Sequence, residues 1–364
     1  PVVLGGVKDV VQRPLRTILA AVSVVLAVVA MLVTLGFGAT VDLATSRPEI
    51  TGDPWDALVV PAADSDHDLL TGTIDTTPGV AGWFGEAESR RVVDGEVVLA
   101  RAVSGDPNAA GYVIREGRNM ETAGEALAGY GLLQRLGRGV GDTVTVEIED
   151  VALPVHIVGR YSDVEDTGEV LLFRWESLLT AFPDAVPGVY RVVAAPGIDR
   201  QQLADNLQAA LGGAVTVRPL VVDTGDFDAF SIAFWLVAAL VLAVALANLG
   251  ATVLLGVRER TRDLGVLRAV GFTPAQLVAS TAIGTFLLVA GAVAVGIPIG
   301  LWLSRSMLIA VGRALGAGPE LRAAPAPVTA TILVVLVVVA AVAIGAATCV
   351  QASRRPVSEL VHDE

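Results

Sequence analysis

Residues 257–277 read VRERTRDLGVLRAVGFTPAQL. This short stretch gathers Arg258, Arg260, Arg262 and Arg268 with Glu259 and Asp263, charges available for docking another protein. Leu264, Leu267 and Val270 recur at helical spacing, so one side is apolar and the arginines point elsewhere. Gly271 suits a helix C′ position, and Thr273 and Pro274 suit the N-cap and first turn of the helix that follows. Basic loops beside membrane spans tend to stay on the cytoplasmic side. The stretch therefore reads as an amphipathic helix that docks a cytosolic protein, or as a positively charged topology loop with no partner.

Elsewhere the side chains that could do chemistry are scattered. His67 and His156 are the only histidines of residues 40–228, and nothing in the sequence places them together. Asp64, Asp66, His67 and Asp68 lie close enough to gather oxygens around a cation, but they lack the glycine and terminal Glu of a calcium loop; they read as a solvated acidic loop. Asp163, Glu165, Asp166 and Glu169 read the same way. Lys8 is the only lysine and lies outside this region, so no lysine-based nucleophile set forms there. No G-x-x-x-x-G-K-[ST] loop occurs, so the chain is expected to hold no nucleotide of its own. The sequence predicts no catalytic site, no cofactor and no metal site, and Cys349, the single cysteine, permits no intrachain disulfide.

What must position the docking stretch is a membrane. Hydrophobic residues make up 53% of the chain and the mean hydropathy is +0.65, too apolar for an ordinary soluble protein. A spanning helix needs roughly 20 apolar residues, and four runs meet that. The expected organisation is an interfacial helix at 1–16 on the cytoplasmic face, a first span at 17–39, a large extracytoplasmic domain at 40–228, and a second span at 229–256. The coupling loop at 257–274, a third span at 275–303, an outer loop at 304–327, a fourth span at 328–350 and a cytoplasmic tail at 351–364 complete it. Within the third span, Gly296 and Gly300 have the small-xxx-small spacing of close helix contacts, and Pro298 between them predicts a kink that could serve packing or a hinge. Asn248 in the second span is expected to hydrogen-bond to a neighbouring helix.

The charge is unevenly spread. Residues 40–228 carry 31 acids and 13 arginines, a net −18, within a chain of net charge −13. An acidic domain hung on a mildly basic membrane part argues against nucleic acid as a partner. Residues 40–228 are expected to be a mixed α+β domain. Arg91–Val93 and Val97–Ala100 flank Asp94-Gly95, a hairpin signal; Thr143–Ile148 alternates with period two, and residues 124–136 and 199–211 read as helices.

RERTRDLGVLRAVGFTPAQL resembles the cytoplasmic coupling segment of FtsX-like permeases, the membrane subunits of MacB-type mechanotransmission ABC transporters, with Asp263 where that pattern has Glu. The stretch from Gly117, with Gly141-Asp142-Thr143-Val144-Thr145-Val146 and Ile157-Val158-Gly159, is similar to the periplasmic core domain of the same family. The resemblance implies a fold of four transmembrane helices with a large α+β extracytoplasmic domain between the first two. It implies a cytosolic ABC ATPase dimer, holding the ATP and Mg, docked on Arg258, Glu259, Arg260, Arg262, Asp263, Leu264, Leu267, Arg268 and Gly271. It further implies a second permease core, either a homodimer or the other half of a duplicated permease, since Pro1 is not an initiator Met and the chain reads as a fragment or a processed form. Placement is expected in a bacterial plasma membrane, in contact with lipid, with both termini cytoplasmic. Two functions fit: export or extraction of an amphiphilic cargo (lipid, lipoprotein, peptide or drug), or signalling that activates an extracytoplasmic protein such as a cell-wall hydrolase without transport.

Overall fold

The computed structural model describes residues 14–105, 110–221, 225–259 and 273–353. In chain order these form α1 (Pro14–Ser46), β1 (Ala57–Pro61), α2 (His67–Thr76), β2 (Val80–Val93), β3 (Glu96–Val103), β4 (Ile114–Gly117), β5 (Glu125–Gly129) and α3 (Tyr130–Leu136). There follow β6 (Thr143–Ile148), β7 (Val151–Tyr161), β8 (Val170–Arg174), α4 (Trp175–Ala181), β9 (Val189–Ala194), α5 (Arg200–Leu211), β10 (Val215–Pro219), α6 (Gly225–Glu259), α7 (Pro274–Ala314) and α8 (Pro327–Ser353). The chain divides into two compact units. One takes in residues up to 41, 225–307 and 323 onward; the other takes in 42–224 and 308–322.

The first unit contains four helices long and apolar enough to cross a membrane, at Thr17–Ser46, Ala229–Gly256, Val278–Ala314 and Pro327–Thr348. Ala20, Val24, Val28 and Leu32 of α1 repeat every fourth residue and so share one face. That face buries against Leu249 of α6, Val289, Ala292 and Val293 of α7, and Ala341 of α8. Leu236, Leu240 and Val244 of α6 and Ile332, Leu336 and Val339 of α8 stay exposed. Such apolar outer faces suit hydrocarbon, where helices satisfy their own backbone groups.

The second unit is a mixed ten-stranded sheet in the order β10-β1-β9-β2-β3-β8-β5-β7-β4, with β6 pairing β2 and β7. Most pairs are antiparallel; β3–β8 and β5–β7 are parallel. Asp94 (φ 48°) and Gly95 (φ 89°) turn β2 into β3, the positive-φ pair that a two-residue hairpin of this kind requires. At one end α2 and α5 cover the sheet, with Ile74, Leu203 and Leu207 packed on Val59, Tyr190 and Val192. At the other, Leu132 and Leu178 close over Ala126, Ile157, Leu171 and Phe173. The fold is thus the expected one, four apolar helices with an α+β domain between the first two.

Two local readings change and one holds. Residues 124–136 are not one helix, because Glu125–Gly129 forms a strand between β7 and β8 and only Tyr130–Leu136 is helical. Burial between two partner strands overrides the helix preference of Glu-Ala-Leu-Ala. Asp199–Leu211 follows the sequence closely, since the Asp199 carboxylate accepts from Gln201 N at 2.9 Å as an N-cap. The third long helix does not end at 303, where the third span was expected to end. It continues to Ala314, and Gly316 (φ 72°) and Gly318 (φ 84°) adopt left-handed backbone beyond it.

Candidate functional site

The expected coupling residues lie at the margin of what the structure describes. Arg258 and Glu259 are the last two residues of α6. Arg260, Arg262, Asp263, Leu264, Leu267, Arg268 and Gly271 lie outside the described residues, as do residues 1–13 and the tail at 354–364. Description resumes at Thr273, which caps α7. Thr273 N donates to Gln276 Oε1 at 2.9 Å, and Gln276 N donates back to Thr273 Oγ1 at 3.4 Å. This reciprocal capping box, with Pro274 in the first turn, fixes where α7 starts.

Gly296, Pro298 and Gly300 all lie inside α7, and Pro298 does not end the helix. Gly296 and Gly300 face α1 at close range. A Cβ on Gly296 would stand 3.2 Å from Val28 Cβ, and one on Gly300 would stand 2.8 Å from Leu32 Cδ1 and 3.2 Å from Val29 Cα. Two glycines four residues apart thus let two backbones approach. Asn248 of α6 donates from Nδ2 to Ser23 Oγ at 3.2 Å and to Leu19 O at 3.4 Å, so its amide is spent on α1.

In the second unit the structure assembles a constellation that the sequence reading did not find. Arg101 of β3 is 2% exposed and meets four carboxylates. Its Nε lies 2.7 Å from Glu88 Oε2 and 3.1 Å from Glu86 Oε1, its Nη1 lies 3.2 Å from Asp163 Oδ2, and its Nη2 meets Glu165. Arg191 of β9 brings Nε to 2.6 Å from Glu86 Oε2 and Nη1 to 3.4 Å from Asp53, and its guanidinium lies over the Trp55 ring. Tyr161 donates its hydroxyl to Asp163 Oδ2 at 2.7 Å, and Glu165 N donates to Asp163 Oδ1 at 2.7 Å. A Cβ on Gly52 (φ 108°) would fall 2.6 Å from Asp163 Cγ, so only glycine lets the Asp163 carboxyl sit there.

Two arginines among five acids leave the cluster short of positive charge, and burial makes that costly. Burial pushes the Asp163 carboxyl up to about 6, although Arg101 and the Tyr161 hydroxyl pull the other way. It also raises Glu86 above the usual carboxylate range, opposed by Arg191 and Arg101. Burial lifts the Tyr112 and Tyr161 hydroxyls well above their ordinary value. The network ties β2, β3, β9 and the connection from β7 to β8 together. It holds an arginine-clamped set of acids rather than a nucleophile beside a base.

The reading of Asp163 as part of a solvated loop is therefore corrected. Asp163, two residues past the end of β7, is 1% exposed and accepts the hydroxyl of the buried Tyr161. Asp166 and Glu169 do lie nearer the surface, paired with Arg90 and Arg135. In the Asp64–Asp68 loop, Asp66 caps α2, its Oδ1 accepting from Asp68 N and Leu69 N. His67 Nδ1 lies 2.6 Å from Tyr190 Oη, and His156 is apart from it on β7. Among the described residues no group of three His, Cys, Asp or Glu could hold a metal ion. One signal for the network was present: Arg101 interrupts the apolar run EVVLARAV, and a charge in a strand buried on both faces needs partners. Which partners those are cannot be read from spacing, since Asp163 is 62 residues away.

Comparison with known proteins follows the same division. Residues 17–210 match the family model of the MacB-like periplasmic core domain, and residues 235–357 match that of the FtsX-like permease C-terminal region. No curated protein matches the chain. Similar solved structures include the periplasmic region of MacB from Actinobacillus actinomycetemcomitans, at 10% identity and a TM-score of 0.35 over 49% of this chain and 94% of that one. The extracellular domain of the noncanonic ABC-type transporter YknZ from Gram-positive bacteria is another, at 12% identity and a TM-score of 0.35 over 45% of this chain and 98% of that one. The first family match alone spans more than half of the chain and the second takes in the helices that follow, so the chain belongs to the FtsX/MacB family of ABC transporter permeases, membrane proteins that work with a cytosolic ABC ATPase.

Proposed function

We propose that this chain converts ATP hydrolysis by a cytosolic ATPase dimer into movement of its extracytoplasmic domain, and thereby exports or extracts an amphiphilic cargo such as a lipid, lipoprotein, peptide or drug. The ATPase docks on the charged stretch at 257–270, through Arg258, Glu259, Arg260, Arg262, Asp263, Leu264, Leu267 and Arg268, with Gly271 ending that helix. ATP and Mg belong to the ATPase. The chain provides one permease core of the two that a transporter needs. It sits in a bacterial plasma membrane with both termini on the cytoplasmic side.

The observation that carries this reading is the continuity of α6, a single 35-residue helix from Gly225 to Glu259. Such a helix is ~50 Å long at 1.5 Å per residue, longer than the ~30 Å hydrocarbon core. It delivers Arg258 and Glu259 to the charged stretch at one end, and at the other it follows the extracytoplasmic domain in sequence. A rigid rod suits the transfer of displacement between two states, provided the ATPase binds those states differently.

The test is purification of the full chain from its native membrane, with ATPase activity measured for the wild type and for Arg262→Glu combined with Leu267→Asp. Co-purification of an ABC ATPase that the double variant loses supports the reading. A folded chain with no ATPase, or with one indifferent to both substitutions, overturns it. An ATPase whose turnover moves the extracytoplasmic domain but displaces no fluorescent lipid or lipopeptide from vesicles directs the function to signalling instead.

A further inference from the structure

The fifteen residues that follow the membrane part of α7 are built into the extracytoplasmic domain. Leu308–Arg322 belongs to the same compact unit as residues 42–224. After Ala314 the chain folds back on the last turn of the helix: Gly316 N donates to Arg313 O at 3.1 Å and Gly318 N to Gly312 O at 3.0 Å. Ala317 (1% exposed) and Leu321 (8%) then enter a small core with Ile50, beside Leu43, Val113 and Val164. An exposed loop of this length would leave such residues in water.

Two further contacts lock the segment. Arg160 of β7 holds Glu320 with Nη2 at 2.8 Å from Oε1 and Nη1 at 3.3 Å from Oε2, a two-pronged pair with fixed geometry. The same guanidinium lies 5.5 Å from the centre of the Tyr130 ring. Gly316 meanwhile presses on the connection between β7 and β8. A Cβ there would fall on Thr167 O, and one on Gly168 would fall 2.3 Å from Gly316 O. That connection is itself strained, since Asp166 (φ 47°), Thr167 (φ 57°) and Gly168 (φ 71°) are all left-handed, a conformation a β-branched threonine rarely accepts. It leads back to Asp163 and Glu165, and so to the buried charge network around Arg101.

We propose that Leu308–Arg322 anchors the end of α7 to β7 and the β7–β8 connection, making α7 a mechanical link between the coupling stretch and the extracytoplasmic domain, with Arg160 and Glu320 as its positioning residues. A helix passes displacement to a domain only if the domain holds the helix end. The end of α7 at Ala314 meets that condition through the Arg160–Glu320 pair and the Gly316–Gly168 contact, and the Thr273–Gln276 capping box fixes where the helix begins, next in sequence to the coupling stretch. The inference rests on the transporter reading above and adds a second route beside α6.

The experiment compares hydrogen–deuterium exchange of the permease–ATPase complex, in nanodiscs, with and without vanadate-trapped nucleotide. In the wild type, trapping nucleotide should change exchange across residues 156–174 and 315–322 by about 5-fold, the lower end of ordinary coupling between sites. In Arg160→Glu and in Glu320→Arg the nucleotide-dependent change should vanish from residues 156–174 while the ATPase stays bound, and the charge-swapped double variant should restore it. Because the swap returns the pair, rescue separates positioning from misfolding. A nucleotide response at 156–174 that survives both single changes, or that the swap fails to restore in a folded chain, overturns this inference alone. A wild-type complex with no nucleotide response anywhere, or no bound ATPase, sinks the transporter reading and the inference with it.

Discussion

Asp163 shows at the scale of one residue how burial sets behaviour. Its carboxyl titrates near 6 in the fold because burial outweighs the help of Arg101 and Tyr161. A carboxyl of raised pKa holds its proton more tightly folded than unfolded. Its contribution to stability is full below the ordinary carboxylate pKa of ~4 and is lost as pH rises through about 6. A shift of ~2 units corresponds to ~3 kcal/mol, and Glu86, also raised by burial, acts in the same direction. Unfolding of the purified protein, followed by tryptophan fluorescence between pH 4 and pH 7, should therefore show stability falling over that window. Asp163→Asn should flatten part of the slope. A variant with an unchanged slope would mean that Asp163 is ionised throughout. This residue was legible in the sequence only as one acid among several near Glu165 and Asp166. Nothing local distinguishes a buried acid just past the end of a strand from one two residues further on in a surface turn.

At the scale of elements, the seam between α1 and α7 sets which glycines matter. Gly300 packs on Leu32 and on the α1 backbone at Val29, whereas a Cβ on Gly291 would meet nothing within 4 Å. Gly300→Val should cost ~1–3 kcal/mol by overpacking. Gly291→Ala should be neutral or stabilise by up to ~1 kcal/mol through helix propensity. Thermal denaturation in nanodiscs distinguishes the two, and equal effects would mean that the seam is lipid-filled rather than packed. The sequence showed the small-xxx-small spacing of Gly296 and Gly300 and the capping signature at Thr273-Pro274. It did not show that α7 runs on to Ala314, because no strong breaker lies between Leu303 and Gly316 and a hydropathy window ends where charges begin. Arg305 and Arg313 end the apolar run without ending the helix.

At the scale of the whole molecule, the arrangement of charge and spans makes a topological prediction. In a Cys349→Ala background, Leu69→Cys, which replaces a residue 70% exposed on α2, should react with a membrane-impermeant maleimide added to intact cells. Arg262→Cys should react only after permeabilisation. The opposite pattern would invert the assignment of sides. The expected placement of Arg305, Arg313 and Arg322 on the outer side runs against the positive-inside tendency. Arg313 and Arg322 lie in the segment that the extracytoplasmic domain takes up, and Arg322 Nη1 donates to Pro319 O. In such a setting local packing, not loop charge, decides where they sit.

By itself the sequence determined the class of the molecule. Four apolar runs demand a membrane, and an acidic stretch of alternating strand signals demands a mixed domain between the first two. These are local or compositional properties, written in periods of two and of about four residues and in charge counts. Only the tertiary structure decided that Glu125–Gly129 is a strand, that Arg101 gathers Glu86, Glu88, Asp163 and Glu165, and that Leu308–Arg322 is part of the domain formed by residues 42–224. Each depends on which distant residues share a buried space. There the cost of an unpaired charge and the lack of room for a single Cβ select the arrangement, and neither quantity is a property of any short stretch of chain.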